Sequence, residues 1–140
     1  MSNVRILVVE AIECWRKVVS SLLLDEPSFE IICEVGDGRE AVLISAQLQP
    51  TIVLMDIGLP RLSGIEVARW IPKVAPKTRI IFFSEERDVD VVQAALNLGC
   101  GYVLKSDAAS DLVAAIRSVA TGKAFISRQL TGLGLIGNCQ

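Results

Sequence analysis

The chain has 140 residues, 51% of them hydrophobic, with 14 basic and 16 acidic side chains and no histidine. That length suits one domain with one real core, and the apolar content excludes a disordered chain. A net charge of −2 with scattered basic residues argues against nucleic acid or an anionic membrane as a partner, and the lack of histidine excludes Ser-His and Cys-His pairs and HExxH zinc sites.

Residues 1–9 lack the charged-then-apolar layout of a signal peptide, and no apolar run reaches the roughly 18–20 residues of a membrane span. A cytoplasmic location is expected. The first strand is predicted over 5–9, where Ile6-Leu7-Val8-Val9 are apolar at consecutive positions. Trp15, Val18, Val19, Leu22 and Leu23 then follow the spacing of an amphipathic helix. A second strand is predicted over 30–35, followed by a helical stripe of Ala41, Ile44 and Leu48. The third strand, 51–55, carries Ile52-Val53-Leu54-Met55 and precedes a short stripe of Val67, Trp70 and Ile71. Pro72 should end or kink this helix near Ile71 unless it lies past the last turn. The fourth strand, 79–83, precedes a stripe of Val91, Val92, Ala95 and Leu96. The fifth, 102–104, precedes Leu112, Val113, Ile116 and Ala120, a helix that Asp107 or Ser110 can cap.

Consecutive apolar runs mark strands covered on both faces, so the alternation predicts a doubly wound α/β fold: a five-stranded parallel sheet with five helices. After Gly122 the chain turns glycine-rich. Residues 1–122 are read as the domain and 123–140 as a frayed end or a truncation boundary. Cys14, Cys33, Cys100 and Cys139 form no CxxC pair and are read as unpaired in a reducing compartment.

Ligands in open α/β sheets sit at the carboxyl ends of the strands. Those ends carry Glu10, Asp56, Ser84 and Lys105. Asp56 is a carboxylate able to attack phosphorus and form an acyl phosphate. Lys105 can neutralise the transferred group, Ser84 can donate to a phosphoryl oxygen, and Glu10 can hold a hard cation such as Mg²⁺. Each residue alone is unremarkable as a turn or surface group; their convergence on one rim points to a site.

Four ordered segments carry a family resemblance: ILVVEA, LMDIGLPRLSG, IIFFSEE and GCGYVLKSD. Over residues 4–122 the chain resembles the receiver domain of bacterial two-component response regulators. The stretches GDGREAV and LKSDAASDLVAAIRSVATGKAFIS resemble the type usually followed by a helix-turn-helix DNA-binding domain. No such output segment is seen in these residues, so no direct nucleic-acid contact is expected of them. The resemblance implies a flavodoxin-like fold, Asp56 as phosphoacceptor, Lys105 and Ser84 as its partners, Tyr102 as an aromatic switch moving with Ser84, and the Gly58 carbonyl as a metal ligand. A sensor histidine kinase is the implied partner, with a homodimer as another. The domain would catalyse at most its own phosphorylation and dephosphorylation.

Two positions depart from the family. Two adjacent acids normally follow the first strand; here the pair reads Glu10-Ala11. Ala11 stands where the resemblance places the direct Mg²⁺ ligand, so metal binding is expected to be weakened by at least the roughly 10–100-fold that even outer-shell losses cause. Glu10 is a partial substitute, and Glu13 a remote one. With an acid removed, the site should be less negative at rest. Ser106 follows the lysine where many receivers have proline. The alternative function is a degenerate receiver that binds partners without phosphorylation. A dehalogenase-type phosphatase would need a second Asp two residues after Asp56, where this chain has Gly58.

Overall fold

The computed structural model describes residues 3–139. Six parallel strands lie in the order β2-β1-β3-β4-β5-β6: β1 (Val4–Val9), β2 (Phe29–Val35), β3 (Ile52–Met55), β4 (Arg79–Ser84), β5 (Gly101–Leu104) and β6 (Phe125–Ile126). Five helices alternate with them: α1 (Glu13–Leu23), α2 (Gly38–Leu48), α3 (Gly64–Val74), α4 (Val89–Leu96) and α5 (Ala108–Ala120).

The apolar runs sort by strand parity, because successive side chains point to opposite faces. Leu7, Val9, Val53, Met55, Phe82 and Tyr102 face a core closed by α2, α3 and α4. Ile6, Val8, Ile52, Leu54, Phe83 and Val103 face the core closed by α1 and α5. The order turns at β1, which pairs with both β2 and β3. That puts the topological switch point between the carboxyl ends of β1 and β3.

Side chains set several helix starts. Asp37 accepts from the Glu40 N–H at 2.8 Å, and Ser63 and Glu66 form a capping box at α3. Asp107 occupies the N-cap of α5 without a capping bond; its Oδ1 accepts from Gln129 Nε2 at 2.7 Å. Among the described residues, no helix is long and apolar enough to cross a membrane.

Three expectations are corrected. The sheet has six strands, not five. The sixth is two residues long and pairs Phe125 with Gly101 and Ile126 with Tyr102; so short a run has no alternation to read. Helix α3 does not stop at Ile71 but runs through Pro72 to Val74. Pro72 falls in the last turn, where a missing N–H costs only the bond to the Ala68 carbonyl, and Ala75 N–H closes on Ile71 O at 2.7 Å. Finally, Cys100 and Cys139 are joined in a disulfide, while Cys14 and Cys33 are free.

Residues 123–139 follow the edge of β5 and the end of α4. Ser127 N–H donates to Tyr102 O at 2.9 Å, and its hydroxyl accepts from Leu104 N–H at 2.8 Å. Further on, Asn138 N–H is 2.9 Å from the carbonyls of Leu96 and Gly99. Gln93 exchanges hydrogen bonds with the backbone of Ile136 at 3.1 and 3.2 Å.

Candidate functional site

Asp56 follows the last residue of β3, and its N–H donates to Val9 O on the neighbouring strand at 3.1 Å. The carboxylate is divided between two partners. Oδ1 accepts from the N–H of Ile57 at 2.7 Å, and Oδ2 accepts from Lys105 Nζ at 3.0 Å. Its side chain is 13% exposed, enough to be reached from an open cleft of about 400 Å³. Ile12, Ile57, Gly58, Ser84 and Lys105 also line this cleft.

Lys105, the first residue after β5, has a side chain only 2% exposed. Its Nζ lies 2.7 Å from Glu10 Oε1 and 3.0 Å from Asp56 Oδ2. Two rings complete the cage: the nitrogen is 5.0 Å from the Trp15 centroid and 5.7 Å from that of Phe83, and the rings meet edge to face at 5.7 Å. Two carboxylates and two π faces offset the desolvation of the buried ammonium. Periodicity placed Trp15 on the apolar stripe of α1; that it also walls the lysine depends on ring orientation, which spacing does not carry.

Glu10 stands behind Lys105 rather than on the cleft wall. It is buried, its Oε2 accepts from the Ile12 N–H at 3.1 Å at the start of α1, and its backbone carbonyl accepts from Arg16 at 2.7 Å. Glu13 points elsewhere: it is exposed and pairs with Lys17 at 3.4 Å. Ala11 contributes no donor. Among the described residues, no group of three or more His, Cys, Asp or Glu side chains is arranged to hold a metal ion.

Ser84 ends β4 on the cleft wall, buried, with its hydroxyl accepting from Glu86 N–H at 3.2 Å. Tyr102 lies behind it, fully buried, and its hydroxyl donates to Glu86 O at 2.8 Å. Burial pushes this phenol up to about 12. Lys105–Ser106 opens a 3₁₀ turn, and no cis peptide bond occurs among the described residues. The Ser106 hydroxyl accepts from Arg87 at 2.9 Å.

Two acids were missed. Glu85 and Glu86 line the cleft beside Ser84. With Asp56 they give the cleft lining three acids against one lysine. The signal was their position, directly after a strand-end serine already assigned to the rim. The arrangement can present one accessible carboxylate, held by a fixed cation, to an electrophile that accepts negative charge.

The response regulator receiver domain family matches residues 6–117. The transcriptional regulatory protein DegU of Brevibacillus brevis is 30% identical over 131 residues, covering 93% of this chain and 56% of that protein. LiaR of Bacillus subtilis is 28% identical over 92% of the chain and 62% of its own length. The chain thus spans little more than half of these relatives. Among solved structures, a LuxR-family two-component response regulator from Aurantimonas superposes with a TM-score of 0.86 at 29% identity, covering 92% of this chain and 93% of that one. The signal receiver domain of NarL from Mycobacterium tuberculosis gives 0.83 at 26%, covering 88% and 100%. The match over most of the chain, together with an acid at the switch point facing a buried lysine, leads to one conclusion: the chain belongs to the receiver domain family of two-component response regulators.

Proposed function

We propose that Asp56 accepts a phosphoryl group from the phosphohistidine of a sensor histidine kinase, and that the added charge resets a protein-interaction surface. The observation that carries this reading is the Lys105 ammonium fixed 3.0 Å from Asp56 Oδ2 at the wall of an open cleft. In the transfer, an Asp56 oxygen forms the new P–O bond as the P–N bond to the donor imidazole breaks. The leaving imidazole keeps that electron pair and takes up a proton. Lys105 offsets the charge delivered, and the Ser84 hydroxyl is placed to turn toward a phosphoryl oxygen.

Phosphorylation adds roughly −1.5 to −2 charge. Ser84 and Tyr102 both bond to Glu86 in the β4–α4 loop. A serine drawn toward the phosphoryl group would shift that loop, with Tyr102 following, and bias the face formed by α4, β5 and α5. The same face serves a kinase or a second copy. Under this reading residues 1–122 are the receiver, 123–140 are its boundary segment, and the protein works in the cytoplasm.

Mg²⁺ is the cofactor the family implies. The residues here fit it poorly: position 11 is alanine, and Glu10 and Asp56 are both engaged by Lys105. Binding through Glu10, Asp56 and the Gly58 carbonyl is therefore weakened.

Intact-mass spectrometry after incubation with a histidine kinase or acetyl phosphate, with and without Mg²⁺, tests the reading. The expected result is one added phosphoryl mass that Asp56→Asn abolishes. No added mass under any condition, or addition that persists in Asp56→Asn, overturns it.

A further inference from the structure

A second depression, of about 460 Å³, lies between α2 and α3 and shares no lining residue with the Asp56 cleft. Its walls are Arg39, Val42, Leu43, Arg61, Leu62 and Trp70. Leu43 is 58% exposed and Trp70 47% exposed, two of the seven exposed large apolar side chains among the described residues. Aromatic and arginine side chains beside an open apolar floor are the composition of protein-binding hot spots.

The charged side chains that line it have one sign. Arg39 and Arg61 line the groove and no acid does. Lys73 adds a third cation, with Nζ 4.9 Å from the Trp70 ring centroid. Arg61 is paired with Asp37 at 3.7 Å, but its side chain is 66% exposed, so water screens that contact and it is readily exchanged. Arg61 also holds a left-handed backbone, with φ of 71°.

We propose that this groove docks an amphipathic helix of a partner protein, one whose apolar stripe is flanked by acidic side chains. A gap between two neighbouring helices takes the ridge of a third. The apolar stripe would cover Leu43 and Trp70 while its acids meet Arg39, Arg61 and Lys73. A second copy of this chain fits poorly: a self-complementary contact would set Arg39 and Arg61 against the same arginines. The site stands independently of phosphorylation at Asp56.

The groove also joins the loop that carries Asp56. Arg61 and Leu62 belong to the segment between Asp56 and α3. The N–H of Gly38 at the start of α2 donates to Pro60 O at 3.1 Å. A helix seated against Arg61 and Leu62 would therefore press on the loop leading from the carboxylate.

The test is fluorescence anisotropy with a labelled synthetic helix of about 18 residues, leucines spaced i, i+3, i+4, i+7 and glutamates flanking them. Its counterpart has lysine at every glutamate. The unmodified chain should bind the acidic peptide saturably and the basic one not at all. Arg39→Glu combined with Arg61→Glu should weaken the acidic peptide at least about tenfold and admit the basic one; Leu43→Ser should weaken the acidic one. Equal binding of both peptides to the unmodified chain overturns the proposal, whatever the variants do. So does unchanged binding in folded variants, or a concentration-dependent dimer that Leu43→Ser dissolves, which would assign the groove to a second copy.

Discussion

Strand β5 is fastened at both ends, by opposite means. At its carboxyl end, Lys105 is held by Glu10 and Asp56. Before its amino end, Cys100 is bonded covalently to Cys139. The ionic end is reversible and answers to charge, which is what the proposed phosphoryl transfer requires. The covalent end is indifferent to charge and answers only to reductant. One strand thus carries a contact built to be rewritten and one built to stay.

Removing the ionic end should have the largest effect. Lys105→Met leaves Glu10 buried without its partner and should cost about 3–5 kcal/mol in urea unfolding. A loss under 1 kcal/mol would mean the cage is not a structural contact. The covalent end comes next. The link spans a sequence separation of 39, and its reduction should remove about 2–4 kcal/mol. Thermal unfolding with and without dithiothreitol measures this, and Cys139→Ser should make the two curves coincide. Equal melting temperatures for the oxidised and reduced wild-type chain would show that the hydrogen bonds of the tail hold it unaided.

The smallest effect lies between the two ends, at Tyr102. Its phenol is raised from an ordinary 10 to about 12, so the folded state holds the proton more tightly than the unfolded chain. That contribution is complete below pH 10 and is lost as pH rises from 10 toward 12. Tyr102→Phe should cost about 1 kcal/mol at neutral pH, for the lost bond to Glu86 O. It should also flatten the decline of the urea midpoint above pH 10; an unchanged slope would mean the phenol is not the group responsible.

The carboxyl end of β5 was legible in the sequence and the amino end was not. Ile52 to Met55 and Ile80 to Phe83 announce buried strands, and the first polar residue after each falls on the rim. Asp56, Ser84 and Lys105 could be placed together for that reason. The Cys100–Cys139 bond depends on how a glycine-rich tail returns across α4, which no local pattern encodes. The cage around Lys105 was half legible: its acids follow strands, whereas Trp15 and Phe83 enter through ring orientation. Pro72 misled for the opposite reason, since a rule about helix interiors was applied to a last turn.

The loop between Asp56 and α3 is pinned by two close approaches. A Cβ at Gly64 would fall 2.2 Å from the Asp56 carbonyl oxygen, and one at Gly38 would fall 2.0 Å from that of Leu62. Neither position admits a side chain unless the backbone moves. Between these pins, Pro60 and Arg61 are exposed, and their side chains are free of the core. For an evolving lineage this separates two tasks. Substitutions at the free positions can redraw what the α2–α3 groove recognises while the glycines hold the phosphoacceptor candidate in register. Partner choice can diversify without the chemistry having to be reinvented each time.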